Sequence, residues 1–265
     1  MKPVKLVALV LLFVMAACSD STTGRASFSL TTRNAASPAP SATFSGAAFS
    51  SATAAPSVTA AGDSTLIVLG NDSVIVRTAQ LVVRKVELKR SDVANCDAIE
   101  GNGDCEEFET GATLVSLPLG SALIAQQVSI AVPAGTFSAL EFEIHKPSSS
   151  EDAAFIAANP EFATISIRVT GTYSQAGTRS AFTFTSDVNQ SQESSLVPPV
   201  TVQEGQSVNV TLRADISGWF LNGARTALVD PASANTGQPN ESVVANNIQN
   251  SFKAFEDDNH DGREG

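Results

Sequence analysis

Short segments in which apolar and polar residues alternate are the feature that most constrains the fold of this chain. In residues 140–145 the alternation places Leu140, Phe142 and Ile144 on one face, as in a strand with one buried side. Other strand-like segments, separated by Gly, Pro and Asn turns, are residues 65–69, 74–76, 81–88, 165–169, 182–184 and 208–212. We therefore predict an all-β fold, an antiparallel β-sandwich, rather than alternating β-α units.

The apolar period changes near the C-terminus. Val244, Ile248, Phe252 and Phe255 recur at three- and four-residue spacing, which predicts a C-terminal amphipathic helix. Asn240 stands at the start of this segment and is a residue type that caps helix N-termini. We expect the helix to pack against the sandwich through its apolar face.

The first residues of the chain predict an export signal. Lys2 and Lys5 precede an apolar run over residues 6–17, which is shorter than the roughly 20 residues of a membrane-spanning helix. Residues 15–18, Met-Ala-Ala-Cys, resemble the bacterial lipobox, where the signal is removed and the new N-terminal cysteine is acylated. We therefore predict that residues 1–17 are a lipoprotein signal peptide and that Cys18 carries lipid. The alternative is an ordinary secretory signal in which the cysteine stands by chance.

The residues after the cysteine predict where such a lipoprotein would be sorted. Ser19 follows Cys18 directly and Asp20 comes one place later. An aspartate in the first place is the usual signal for retention in the inner membrane. We therefore predict a lipid-anchored protein of the bacterial cell envelope, at the outer membrane of a two-membrane cell.

Charge excludes several partners. The formal net charge is −11, whereas nucleic-acid binding needs a basic surface that displaces counterions from phosphates. Binding to anionic headgroups through protein charge needs a polybasic patch in the same way. The predicted partners are therefore the membrane, through the N-terminal lipid, and a glycan or an envelope protein.

Composition divides the predicted mature chain into three parts. Residues 18–62 are rich in Ser, Thr, Ala and Pro, which predicts a flexible tether with a reach of about 35–40 Å. Within it, Phe28-Ser29-Leu30 and residues 44–49 are exceptions that could add an edge strand to the domain. We predict a β-sandwich domain over residues 63–220, followed by a loop, the helix and an acidic tail over residues 221–265.

Cys96 and Cys105 are the remaining cysteines. An even pair in an exported chain predicts a disulfide, and the eight residues between them include Gly101 and Gly103, which favour a flexible tip. A metal pair is the alternative. The surrounding loop, residues 92–109, is acidic and is a second candidate for a bound cation.

The tail carries a stronger cation signal. Asp257, Asn259, Asp261 and Gly262 match positions 1, 3, 5 and 6 of an EF-hand calcium loop, which supply oxygen ligands and the sharp turn. The predicted helix precedes them, as in an EF-hand. We therefore predict a weak calcium site formed by Asp257, Asn259 and Asp261, with a solvated acidic tail as the alternative.

Two aromatic residues follow the last predicted strand. Trp219 and Phe220 could stack on the C–H faces of a sugar at one end of the sandwich, and we name them as candidate ligand-binding residues. The alternative is that they close the end of the core or pack under the helix.

No catalytic motif accompanies these features. The sequence holds no Gly-x-Ser-x-Gly elbow, no His-Glu-x-x-His and no phosphate-binding glycine loop. His145 and His260 are the only histidines, and His145 alternates with glutamates on the predicted solvent face. We predict that the protein is not an enzyme.

Three motifs follow one another along the predicted domain. They are Val-Val-Arg-Lys-Val-Glu-Leu at 82–88, Val-Pro-Ala-Gly-Thr-Phe at 132–137, and Glu-Gly-Gln-Ser-Val-Asn-Val-Thr-Leu at 204–212. Over residues 64–215 the chain resembles an uncharacterised bacterial lipoprotein domain family in which a Val-Pro-Ala-Gly-Thr-Tyr/Phe turn opens a strand. The resemblance implies an immunoglobulin- or transthyretin-like sandwich and an analogy to carbohydrate-binding sandwiches. It implies no site residues.

Together these features predict a non-catalytic, lipid-anchored envelope protein that serves as a surface or periplasmic binding module for a glycan or a protein. The alternative is a structural envelope lipoprotein with no small ligand, with or without stabilisation by calcium.

Overall fold

The computed structural model describes residues 23–32, 55–91, 111–120 and 125–257. Strands dominate these ranges, and two α-helices accompany them. The elements are β1 (Thr23–Thr32), β2 (Ser57–Ala61), β3 (Ser64–Leu69), β4 (Asp72–Arg90), β5 (Thr113–Ser116), β6 (Ala125–Pro133), β7 (Gly135–Ile144), α1 (Ala153–Ala158), β8 (Ile167–Gln175), β9 (Thr178–Ser186), β10 (Gln190–Val202), β11 (Ser207–Ala214), α2 (Glu241–Gln249) and β12 (Phe252–Glu256). The all-β class predicted from alternation is confirmed. Neither helix is long and apolar enough to cross a membrane.

The strands form two sheets with one apolar core. The four-stranded sheet has the order β12-β11-β1-β6, and the eight-stranded sheet has the path β10-β7-β4-β3-β2, with β5 and β8 also paired to β4 and β9 paired to β8. Phe142 of β7 and Phe252 of β12 join the sheets across the core, with ring centroids 5.2 Å apart in an edge-to-face arrangement. The pairs are antiparallel as predicted, except that β1 and β11 run parallel.

The hairpin of β8 and β9 shows how local sequence sets the register. Gln175 pairs with Thr178, so Ala176 and Gly177 alone form the turn, and both have positive φ, 47° and 84°. Such two-residue turns match the twist of paired strands. The turn predicted at Gln175-Ala176-Gly177 is confirmed, and Phe182 and Phe184 of β9 point into the core.

Strand β1 lies within the predicted tether, residues 18–62, and shows that part of that segment is folded. It lies between β11 and β6 and is hydrogen-bonded to both, so it is an interior strand rather than an edge strand. Ala26, Phe28 and Leu30 alternate into the core at 0–6% exposure. Residues 23–32 therefore belong to the folded domain, because two partner strands satisfy their backbone groups and cover their apolar face.

The C-terminal segment also differs from its prediction. Helix α2 buries Val244 and Ile248 as expected, but it ends at Gln249, and Phe252 and Phe255 lie on β12. The side chain of Asn240 does not cap the helix. Residues 252–256 pair with β11 at the edge of the four-stranded sheet, and this pairing makes them a strand rather than part of the helix. The segment after residue 220 therefore completes the sandwich.

The sandwich has two distinct ends. At the crossover end, residues 133–135 carry the chain from β6 to β7, and residues 203–206 carry it from β10 to β11, each time from one sheet to the other. At the hairpin end, residues 70–71 join β3 to β4, and residues 176–177 join β8 to β9. Strand β4, the longest, begins at the hairpin end with Asp72 and finishes with Arg90.

Candidate functional site

An open cleft lies at the hairpin end. It has a volume of about 870 Å³, within the usual range of ligand sites. Its walls come from the β3–β4 turn, the β8–β9 hairpin and the loop over residues 226–230. Polar side chains that line it are Asn71, Asp72, Gln175, Thr178, Ser180, Thr226 and Asp230.

Hydrogen bonds fix two of these walls to one another. Asp72 begins β4, and its Oδ1 accepts a bond from the backbone N–H of Ala176 at 3.2 Å. The β3–β4 turn and the β8–β9 turn are thereby held together at the rim. This bond sets the position of the Asp72 carboxylate before any ligand arrives.

The third wall is a closed loop. The Oδ1 of Asn222 accepts bonds from the N–H groups of Thr226, at 2.8 Å, and Ala227, at 3.3 Å. Leu221 and Leu228 bridge its base. Further on, Asp230 Oδ1 accepts the N–H of Ala232 at 2.9 Å and so caps the 3₁₀ turn over residues 231–234. The cleft is therefore preformed on all three sides.

Tyr173 forms the buried side of the cleft. It is 3% exposed, and its hydroxyl donates to the carbonyl oxygen of Leu228 at 3.4 Å. Burial raises the pKa of Tyr173, and the negative charges of Asp72 and Asp230 raise it further. The phenol therefore stays protonated at neutral pH, close to two carboxylates.

The chemistry of the lining favours a neutral polar ligand. Carboxylates accept hydrogen bonds, carboxamides donate and accept, and hydroxyls do both. None of the described lining residues is basic. An anionic ligand would thus face Asp72 and Asp230 without a compensating charge, whereas a ligand rich in hydroxyl groups could form hydrogen bonds with the polar lining groups.

Trp219 and Phe220 are not part of this cleft. Their exposures are 0% and 1%, and Trp219 Nε1 donates to Ser251 Oγ at 2.9 Å. The ring of Phe220 meets Phe182 and Phe184 edge-to-face, with centroids 5.7 and 5.5 Å apart. The predicted sugar-stacking role is therefore wrong, because neither ring has a face open to solvent. Their place agrees with the alternative, closure of the core.

Asp257 does not lie in an EF-hand. It follows strand β12 rather than a helix, and it is 2% exposed. Its Oδ2 accepts the hydroxyl of Thr211 at 2.8 Å, and its backbone N–H donates to the carbonyl of Asn209 at 2.9 Å. One carboxylate oxygen thus bonds within the protein, and the helix expected before the loop is corrected to a strand, whereas cation binding by Asp257 remains a prediction.

The other predicted site residues stay untested. Cys18, Cys96, Cys105, Asn259 and Asp261 lie outside the described residues. Lipidation of Cys18, a disulfide between Cys96 and Cys105, and cation binding by Asn259 and Asp261 remain predictions. Within the part of the chain that the structure describes, no group of three or more His, Cys, Asp or Glu side chains is placed to hold a metal ion.

Sequence reasoning missed the cleft residues. Gly70-Asn71-Asp72 and Gln175-Ala176-Gly177 are recognisable as turns, but no local signal indicates that the two turns meet. Asp230 lies about 55 residues further along the chain, in a loop without regular structure. The only available signal for the cleft was that aspartates and amides cluster in several turns. This signal indicates a site only once packing shows that the turns lie together.

Over the residues that the structure describes, the fold and the cleft define an all-β sandwich protein with a preformed cleft at its hairpin end. No family model and no curated protein matches this chain. Among solved structures it is similar to MbnP from Methylosinus trichosporium, with 14% sequence identity over 88% of this chain and 98% of that chain, at a TM-score of 0.31. At that TM-score the likeness carries no argument about function.

Proposed function

We propose that this protein is a non-catalytic, lipid-anchored envelope protein whose sandwich binds a glycan in the cleft at the hairpin end. The observation that carries the proposal is the preformed cleft, in which carboxylates, carboxamides and hydroxyls from three chain segments converge. Preorganised polar groups bind at low entropic cost. The anchor is the lipid predicted on Cys18, with outer-membrane sorting predicted from Ser19 and Asp20.

Sugar hydroxyls complement the lining group by group. They would donate to the carboxylates of Asp72 and Asp230, and accept from the amides of Asn71 and Gln175. The net charge of −11 and the acidic lining both disfavour polyanionic ligands. The implied analogy to carbohydrate-binding sandwiches points in the same direction.

The two carboxylates favour binding over catalysis. Glycosidases use a pair of carboxyl groups, one of which must act as a general acid. Here Asp72 accepts a backbone N–H from Ala176, and Asp230 accepts one from Ala232. These bonds fix the orientation of each carboxylate, which suits fixed recognition of hydroxyls.

A glycan array tests this function. The probe is the exported chain carrying Cys18→Ala, so that it stays soluble. Ser180→Arg would place a long cation, attracted by Asp72 and Asp230, in the cleft, and we expect it to abolish a saturable signal. Ser195→Arg is the matched control, since Ser195 is also an exposed strand serine but does not line the cleft.

Each outcome separates the alternatives. Saturable binding by the unmutated protein and the Ser195 variant, lost in the Ser180 variant, supports the cleft. Binding that survives Ser180→Arg moves the ligand to another surface. Absence of saturable binding to any glycan contradicts the proposal and favours a structural envelope lipoprotein without a small ligand.

A further inference from the structure

We infer that the crossover end of the sandwich rests on the membrane surface and that the cleft points away from it. The inference rests on the anchor in the proposed function, acylation of Cys18. It concerns a surface of the domain and a lipid partner, and it follows from how few residues separate the anchor from the fold.

The chain between anchor and fold is short. Strand β1 begins at Thr23, five residues after Cys18. Five residues span at most about 18 Å when fully extended. The tether of about 35–40 Å predicted from composition would have let the domain turn freely, whereas a link of this length keeps the start of β1 close to the lipid headgroups.

The start of β1 is built into the crossover end. Thr23 pairs with Pro133, the last residue of β6. On the other side, the N–H of Arg25 donates to the carbonyl of Gln206 at 2.8 Å. Gly24 lies so close to Val202 that a Cβ there would clash with its side chain. The anchored end of β1 is therefore fixed against both crossover connections.

Strand β4 relates this end to the cleft. Its first residue, Asp72, lines the cleft. Its last residue, Arg90, pairs with Phe137 near the start of β7, and its guanidinium lies against Gly135. Gly135 in turn pairs with Val202 at the end of β10. The cleft and the anchored end thus lie at opposite ends of the longest strand of the sandwich.

This arrangement places the crossover end at the bilayer surface. A multiply acylated cysteine holds firmly in one leaflet, and the short link brings residues 203–206 down beside it. The hairpin end is then the part of the domain furthest from the lipid. A ligand that reaches the cleft comes from the aqueous side, without passing the headgroups.

Photo-crosslinking to lipid tests the orientation. p-Benzoylphenylalanine would replace Glu204, exposed in the crossover turn, or Thr178, exposed in the hairpin. The full lipidated protein is reconstituted in vesicles of phosphatidylethanolamine and phosphatidylglycerol, irradiated and analysed for lipid adducts. We expect the Glu204 variant to give at least about five times more adduct than the Thr178 variant.

A spacer variant supplies the control for reach. A twenty-residue Gly-Ser insertion between Asp20 and Ser21 keeps the lipid but lets the domain move away from the surface. We expect it to reduce the adducts at position 204 towards the level at position 178. Equal adducts at the two positions, more adducts at 178, or none at 204 in the lipidated protein would overturn the orientation.

The intact mass of the purified protein separates the two proposals. A mass without acyl groups on Cys18 overturns the anchor and the orientation together. A lipidated protein that crosslinks through position 178 overturns the orientation alone. A lipidated protein that crosslinks through position 204 but binds no glycan overturns only the ligand.

Discussion

The hydroxyl of Thr211 donates a hydrogen bond to Asp257 Oδ2 at 2.8 Å, and both side chains are at most 2% exposed. Asn209 joins them, since its amide donates to the Thr211 hydroxyl and to the Asp257 carbonyl, each at 3.1 Å. Ser29 of β1 donates to the same Asn209 side chain at 2.9 Å. These bonds connect β1, β11 and the residue after β12 through buried polar side chains.

Removing the Asp257 carboxylate should therefore lower stability whether or not calcium is present. For Asp257→Ala we expect the free energy of unfolding to fall by about 1–3 kcal/mol, because Thr211 loses its acceptor in a buried place. Asp257→Asn keeps an oxygen acceptor and should lose less. Urea unfolding with chelator and with millimolar calcium measures both. If calcium stabilised the unmutated protein and Asp257→Asn but not Asp257→Ala, the result would support a cation site at Asp257.

A chain that begins at Asp63, the predicted start of the domain, should fail to fold. It would lack β1 and the edge strand β2, and β6 and β11 would lose their common neighbour in the four-stranded sheet. Circular dichroism and size-exclusion chromatography, compared with a chain that begins at Ser19, test this expectation. A folded monomer from Asp63 onward would show that β1 and β2 are dispensable.

A point variant tests the same strand. Phe28→Ala should cost about 3–5 kcal/mol of unfolding free energy, as for a buried aromatic in a core. Thr59→Ala, at an exposed position on β2, is the control and should change stability by less than about 0.5 kcal/mol. Chemical unfolding at equilibrium measures both. An unchanged unfolding midpoint for Phe28→Ala would indicate that residues 23–32 are a tether and not a core strand.

Phe220 should matter for stability and not for ligand binding. Phe220→Ala leaves a cavity beside Phe182 and Phe184, and we expect a loss of about 3–5 kcal/mol. Phe220→Leu fills part of the space and should lose less. Below their melting temperatures, both variants should bind glycan as the unmutated protein does. A variant with normal stability but no binding would favour sugar stacking at this position.

Glu141 should make stability sensitive to acid. Burial raises the pKa of its carboxyl group, but hydrogen bonds from Ser191 and Lys89 and the lysine charge together lower it below its ordinary value of 4.5. The Lys89 Nζ lies 2.9 Å from its Oε2. A depressed pKa contributes stability that is present above the unfolded-state value and is lost as pH falls through the folded-state value.

Glu141→Gln measures that contribution. The difference in unfolding free energy between the unmutated protein and Glu141→Gln should be largest near neutral pH and should shrink below about pH 4.5. Glu161→Gln, at an exposed position in a 3₁₀ turn, is the control for the loss of one carboxylate. A difference that stays constant across the acid range, or that grows, would contradict the pairing with Lys89 and Ser191.

The alternation of apolar and polar residues predicts those strands in which one face meets the core and the other meets solvent. Residues 140–144 are such a segment and lie within β7. Residues 208–212 also lie within an observed strand, but there both faces are buried. Only Phe28-Ser29-Leu30 of strand β1 was recognised, and as an edge strand, because Ser, Thr and Ala dominate its sequence and its partners lie about 100 and 180 residues away. Phe252 and Phe255 fit a helix by spacing, but the free edge of β11 provides a strand partner that no local pattern shows.

The pairing of β1 with β11 also bears on how this protein acquires its structure. The bonded side chains of Ser29 and Asn209 are 180 residues apart in sequence, so the middle of the four-stranded sheet cannot form until nearly the whole chain is available. Folds dominated by such distant contacts have a high contact order and fold slowly. If the chain is exported from its N-terminus, as proposed, β1 must wait for β11, which arrives much later. Its unpaired edges need protection from aggregation during that interval.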